Sequence, residues 1–316
     1  MEPLKVLYVG GLYQAEMSLY WELMDNPQFE GCFCTHPKEP GFYGNVHKVT
    51  SRQQIDQIKN NFKPDLTIFR SWNTTTSWAQ GKEIVWAYEK RVKLPNGGQT
   101  AGPRRYRDSG NSLNAYQDLD SVKAHKALWL PYCVSKYFEK KSQEKKYKAL
   151  CISRIPTAAS GGAAKKLSTD ILLKPLLEHD LVILYGRDYY GISYLKFKGI
   201  LSPHNIAQEV ASAKIFVSPT TIWLDPYALS HKTVSSMGCG TLTMTNKYGA
   251  IEEILGKHKE TILYANEPEE TLELVQYYLD HDTEREELAT AGYDFVHKKY
   301  NWADHLIRLY DESTNL

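Results

Sequence analysis

The sequence predicts an α/β protein made of two Rossmann-like domains in tandem, each a parallel sheet flanked by helices. Three observations carry this. Short apolar runs that end at glycine or proline alternate with stretches of helical periodicity, most clearly after residue 149. That alternation is the pattern of right-handed βαβ units. The length of 316 residues suits two cores of about 150 residues each better than one. A lysine-rich stretch near the middle, KYFEKKSQEKKYK at 136–148, breaks the pattern and marks a boundary. The expected domains are 1–140 and 141–300, with a closing segment 301–316.

In chain order, Lys5–Val9 is an apolar run that ends at Gly10-Gly11, a buried strand turning into a helix over Gln14–Met24. Leu66–Phe69, Ile84–Ala87 and ALWLPY (127–132) are further strands, and Lys90–Gly110 between them shows little periodicity. A loop of that length in a compact domain has a function of its own or stays disordered. In the second half the expected strands are 149–155, 181–186, 214–220 and 241–246. The expected helices are 164–177, 206–213 and 232–237, followed by the helical segments GAIEEIL, ETLELVQYYLDH and REELATAGYDFVHKKY. No internal repeat or low-complexity tract occurs.

Composition narrows the function classes. Apolar residues make up 42% and charged residues 24%, as in globular proteins, and no run approaches the length of a membrane span. The five cysteines form no CxxC pair or Cys/His cluster, which argues against a disulfide framework or structural zinc. The N-terminal MEPLKVLYVGG lacks the pattern of a signal peptide, so the expected compartment is the cytoplasm. The net charge of +1 hides an asymmetry: residues 1–150 hold 22 Lys/Arg against 15 Asp/Glu, whereas residues 151–316 hold 16 against 22. The first half is therefore suited to an anionic partner.

Parallel sheets bind ligands at the carboxyl ends of their strands, so the loops there hold the candidate chemistry. Gly10 and Gly11 bring backbone amides toward a phosphate at a helix start, although no GxGxxG follows the first strand, which counts against a dinucleotide-dependent oxidoreductase or epimerase. Arg154 ends the first strand of the second half, and SGGAAKK follows with Lys165 and Lys166 at a helix start. An arginine, flexible glycines and lysines are what a metal-independent diphosphate site requires. In SPTTIWLDPYALSHKTVSSMGCG (218–240), Ser230-His231 opens a helix whose free amides, with Lys232 and the hydroxyls of Ser230, Thr233 and Ser235, suit a diphosphate or a sugar.

These loops, in this order, resemble GT-B glycosyltransferases of the group 1 type, especially the spore-maturation-protein-like branch. The segments that carry the resemblance are WLPYCVSKYF with KYKALCISR, KFKGILSPHNIAQEVASAKIFVSPT, SSMGCGTLTMTN, and the run from EEILGKHKE to YNWADHL. It covers about residues 128–312 well and 1–127 in outline. The resemblance implies two domains facing across a cleft and a late helix returning to the first domain. It implies a nucleotide-sugar donor, UDP-glucose by default, with no metal or further cofactor. Arg154, Lys165, Lys166 and Lys232 would stabilise the leaving diphosphate. Ile200 would border the base, and Tyr227, Ser230, His231, Thr233, Val234 and Ser235 would line the donor. Tyr227 and Ser235 stand where the family commonly has carboxylates, which leaves the nucleotide preference open and supports a rival reading as a non-catalytic nucleotide-sugar-binding protein.

The base that takes the acceptor proton is sought among Asp108 and His125, with His36, His47, Asp118 and Asp120 as further candidates. Asp118-Leu119-Asp120 matches a D-x-D metal motif, but it falls in a predicted helix where residues two apart do not face each other. The segment 90–110 brings Arg91, Lys93, Arg104, Arg105 and Arg107 beside Tyr106, with Lys90, Trp86 and Tyr88 adjoining. Basic side chains interleaved with aromatics suit a nucleic-acid backbone and an extruded base. The leading acceptor is therefore a hydroxymethylated base in DNA, and a phosphate-bearing surface polymer or lipid is the alternative.

Overall fold

The protein was analysed as a computed structural model, which describes residues 2–11, 16–37, 46–70, 78–80, 82–87, 113–116, 128–139, 144–155, 162–220 and 229–315. The chain divides into two compact units. Among the described residues, one is built from those up to Tyr137 together with those from Asn301 onward, the other from Phe138–Tyr300.

The first unit is a seven-stranded sheet in the order β3-β2-β1-β4-β5-β6-β7, with every pairing parallel. Its strands are β1 (Leu4–Val9), β2 (Phe29–Thr35), β3 (Val46–Lys48), β4 (Leu66–Arg70), β5 (Ile84–Ala87), β6 (Leu113–Tyr116) and β7 (Leu128–Trp129). Val6–Val9 and Ile68–Phe69 are fully buried, as central strands of a parallel sheet must be. Helix α1 (Met17–Asp25) buries Met17, Leu19, Tyr20 and Leu23. Helix α2 (Arg52–Phe62) is capped by Ser51, whose side chain accepts from the Gln54 amide. The sequence reading did not include β2, β3, β6 or α2. In β2 the run FEGCFCT is interrupted by Glu30 and Gly31, and the glycine is needed because a Cβ there would lie 2.7 Å from that of Leu23 on α1.

The second unit is a five-stranded parallel sheet in the order β12-β11-β10-β8-β9. Its strands are β8 (Tyr147–Ile155), β9 (Val182–Asp188), β10 (Ala213–Ser218), β11 (Leu242–Thr245) and β12 (Leu263–Tyr264). Its helices are α3 (Gly162–Leu172), α4 (Lys174–Glu178), α5 (Ile206–Ala211), α6 (His231–Gly238), α7 (Ile251–Leu255), α8 (Pro268–Asp280) and α9 (Asp282–Lys299). Cys151, Leu172, Leu176, Leu184, Ile215, Val217, Met244 and Val275 share one core. The single helix expected over 164–177 is two, because Pro175 at the start of α4 has no amide to continue the ladder. The strand expected over 214–220 ends at Ser218, and β8 begins inside the lysine-rich stretch, at Tyr147.

The last helix, α10 (Trp302–Thr314), packs into the first unit. Asn301 caps it by accepting from the Asp304 amide, and Trp302, fully buried, meets Trp86 edge-on at 5.5 Å. The indole of Trp86 donates to the Leu130 carbonyl at 2.8 Å, and the Arg308 guanidinium donates to the Trp129 carbonyl. Among the described residues no helix is long and apolar enough to cross a membrane.

Candidate functional site

The carboxyl edge of the second unit's sheet gathers basic side chains from three elements. Arg154 comes from the end of β8, Lys165 from the start of α3, and Lys232 from the first turn of α6. Lys165 is only 5% exposed, and its ammonium nitrogen donates to the Pro219 carbonyl. Burial, and secondly the charge of Lys232, pull its pKa well below the ordinary lysine value. Lys232 keeps some accessible surface, yet burial also lowers its pKa; Cys151 opposes the shift and Arg154 adds to it. Arg154 is exposed, and its guanidinium lies 4.8 Å from the centre of the Tyr189 ring. Among the described residues none of the three side chains forms an ion pair with a carboxylate, and neither Arg154 nor Lys232 donates a hydrogen bond. Three basic side chains held within electrostatic range of one another, with no counter-charge among the described residues, form a site that attracts an anion.

Hydrogen bonds and close packing hold the frame around them. The Ser168 hydroxyl donates to the Thr220 carbonyl at 2.6 Å, tying α3 to the segment after β10. Asn246 accepts from the Thr220 amide at 3.3 Å. At the β8–β9 edge Ser153 pairs with Gly186. Gly186 has φ +130°, and a Cβ there would lie 1.7 Å from the Ser153 carbonyl oxygen, so only glycine fits. The turn that carries Tyr189 is fixed by Asp188, whose carboxylate accepts from the amides of Tyr190, Gly191 and Ile192. The Ser153 hydroxyl is buried and has no hydrogen-bond partner among the described residues. Cys151 stays a thiol, with burial pushing it up to about 11 against the pull of Lys165 and Lys232.

The other sequence-chosen residues fall in different places. Lys166 pairs with Asp170 and is therefore not part of the unpaired trio. Ser230 is the N-cap residue of α6, but its side chain makes no capping bond. His231 and Ser235 are half-buried. Thr233 is buried with its hydroxyl 3.0 Å from that of Ser218, and Val234 is wholly in the core; both are committed to packing. Ile200 is 64% exposed, beside Gly199, whose carbonyl accepts from the Gly186 amide at 2.6 Å. Asp108, His125, Asp118, Asp120, Tyr227, Arg91, Lys93, Arg104, Arg105, Tyr106 and Arg107 lie outside the described residues. His36 is half-buried after β2, and His47 is exposed on the edge strand β3.

In the first unit Gly10 is required by packing, since a Cβ would lie 2.6 Å from that of Arg70. The Gly11 carbonyl accepts from Arg70 and from the Tyr8 hydroxyl, both at 3.3 Å. Arg70 is ion-paired at 2.7 Å with Glu16, and both are almost completely buried. This pair, which the sequence reading missed, sits at the carboxyl ends of β1 and β4. Its only signal was an arginine closing an apolar strand. Among the described residues no group of His, Cys, Asp and Glu is placed to hold a metal ion.

Residues 169–311 match the family model described as glycosyl transferase-like. Anabaena HepE in complex with UDP-glucose is 13% identical and superposes over 99% of this chain and 100% of its own, with a TM-score of 0.65. The T4 phage protein BGT in complex with UDP-glucose is 12% identical over 99% of this chain and 100% of its own, at 0.63. The DNA-modifying enzyme β-glucosyltransferase is 12% identical over 97% of this chain and 99% of its own, at 0.62. A search of curated protein sequences finds no match. The chain thus has the two-domain fold of GT-B glycosyltransferases, and residues 169–311 are similar to the glycosyl transferase-like family.

Proposed function

We propose that the protein transfers a hexosyl group from a UDP-sugar to a hydroxyl group, and that the second unit holds the donor. The observation that carries this reading is the trio Arg154, Lys165 and Lys232, which has no counter-charge among the described residues. A dianionic diphosphate supplies that charge. In the reaction the acceptor oxygen forms a bond to the anomeric carbon, and the bond from that carbon to the diphosphate oxygen breaks. The acceptor hydroxyl gives up its proton to a general base, for which the sequence offers Asp108 and His125, and the UDP leaves with the electron pair. Basic side chains already positioned where negative charge develops lower the barrier, and they provide that stabilisation without a metal. Lys166 remains paired with Asp170 in this scheme, and Ser230 and the amides opening α6 face the donor. The choice of UDP rests on the two UDP-glucose complexes with the same fold. The resemblance of residues 128–312 to the spore-maturation-protein-like branch is consistent with the same donor chemistry.

For the acceptor we favour a hydroxymethylated base in DNA. Six basic residues between Lys90 and Arg107, interleaved with aromatics, suit a phosphodiester backbone, and a DNA-modifying glucosyltransferase shares the fold. The test is transfer of labelled glucose from UDP-glucose to duplexes with and without 5-hydroxymethylcytosine, in the presence of EDTA. Label entering only the hydroxymethylated duplex supports the reading. UDP-glucose hydrolysis with no labelled DNA would retain the donor and move the acceptor to a surface polymer or lipid.

A further inference from the structure

Two lysines share the proposed donor site with no carboxylate between them among the described residues. Lys165 lies in the first turn of α3 with its side chain almost wholly out of water. Its one hydrogen bond goes to a neutral acceptor, the Pro219 carbonyl. Among the described residues the titratable groups that face it are Lys232 from α6 and Cys151 from β8, while Arg154, also from β8, acts on Lys232. Cys151 supplies no negative charge near neutrality, because burial holds it as a thiol. A full charge kept out of water without a partner is far costlier than a neutral amine, so such a group sheds its proton. Burial first, then the neighbouring Lys232, push Lys165 in that direction. A diphosphate arriving beside both lysines reverses the balance: it brings the missing negative charge and the oxygens that accept hydrogen bonds from an ammonium.

Building on the donor reading above, we propose that binding of a nucleotide diphosphate-sugar draws a proton from solvent into this site, and that Lys165 takes it up. The step converts a neutral amine and a solvent proton into an ammonium, and no bond of the donor changes. The consequence is economical for catalysis. The empty unit is spared a further uncompensated charge, and the ammonium forms where the leaving oxygen will accumulate negative charge. The sign of the pH dependence follows. The filled site binds more protons than the empty one, so donor affinity weakens as pH rises through the interval between the two titrations. The limit is a factor of about ten per pH unit for one linked proton.

The test is isothermal titration of the 316-residue chain with UDP-glucose, at one mildly alkaline pH, in buffers of different ionisation enthalpy. UDP-glucose is the probe because its diphosphate is esterified at both ends and does not itself titrate near neutrality. The expected result is an apparent enthalpy that varies linearly with buffer ionisation enthalpy, with a slope approaching one proton taken up per site. Lys165→Met removes the slope, whereas Lys232→Met leaves an uptake of the same sign. Binding of wild-type protein with zero slope overturns the inference, as does a slope that survives Lys165→Met and disappears in Lys232→Met. Should Lys165→Met fail to fold, the wild-type slope alone decides. Absence of any UDP-glucose binding by folded wild-type protein overturns the donor reading and this inference together, and it is distinguishable from binding without proton uptake.

Discussion

Replacing Lys232 by methionine separates stability from binding, because the two respond to different surroundings. In the empty protein the Lys232 ammonium makes no hydrogen bond or ion pair among the described residues, and burial together with the nearby Arg154 disfavours its charge. Methionine keeps most of the aliphatic stem and removes only the uncompensated end. No bonded partner is lost, so the change in folding free energy is expected to stay within about 1 kcal/mol, like other changes that break no specific interaction. For a protein of this size that is a shift in Tm of roughly 2–4 °C in either direction. With donor bound, the same ammonium faces a diphosphate in a desolvated site. Truncating one partner of such a pair costs about 2–5 kcal/mol, and each 1.4 kcal/mol is tenfold. The expected loss of UDP-glucose affinity is therefore roughly 30-fold to 4,000-fold. Isothermal titration gives Kd, and differential scanning calorimetry on the same samples gives Tm. A variant that binds UDP-glucose within threefold of wild type, at unchanged Tm, would refute the assignment of Lys232 to the donor. A large loss of Tm would instead show that the ammonium has a structural partner.

Three further outcomes are expected. Gly186→Ala forces a residue with a side chain into φ +130° and places its Cβ 1.7 Å from the Ser153 carbonyl oxygen. Backbone strain of about 1–3 kcal/mol and overpacking of about 1–3 kcal/mol should lower Tm by roughly 4–24 °C, and a Tm within 1 °C of wild type would contradict the close approach. Tyr189→Ala removes the ring under Arg154, a contact worth about 0.5–1 kcal/mol at an exposed site. UDP-glucose affinity should fall by roughly two- to fivefold and return with Tyr189→Phe; a loss in Tyr189→Phe equal to that in Tyr189→Ala would point to the hydroxyl instead. Trp302→Ala empties a fully buried site against Trp86 and should cost about 3–5 kcal/mol, read as a lower urea midpoint; an unchanged midpoint would mean that α10 contributes little to the first unit.

The second half of the fold was legible because its strands are short, largely apolar runs separated by amphipathic helices, as in LVILYG, KIFVSPT and TLTMTN. The first half was less so. β2 carries Glu30, Gly31 and two cysteines within seven residues, and β3 has only three residues, so neither produces a periodic signal long enough to read. Helix α2 shows one fully buried residue, Ile55, in a polar sequence. At the site, Arg154, Lys165 and Lys232 could be chosen as cations near strand ends, but sequence could not separate them from Lys166. That distinction depends on Asp170 lying one helical turn on and accepting the Lys166 ammonium, while Lys165 points inward to Pro219. Thr233 and Val234 were chosen for their place at a helix start, and the rotation of α6 turns both into the interior. Glu16 and Arg70, 54 residues apart in sequence numbering, become partners only through the pairing of β1 with β4.

The central claim, that Arg154, Lys165 and Lys232 together hold a nucleotide diphosphate, is tested most directly by a crystal structure of the protein with UDP. The account predicts phosphate oxygens within about 3.2 Å of the Lys165 and Lys232 ammonium nitrogens and of the Arg154 guanidinium. UDP bound elsewhere, or a carboxylate of the protein occupying the space between the three cations, would contradict it.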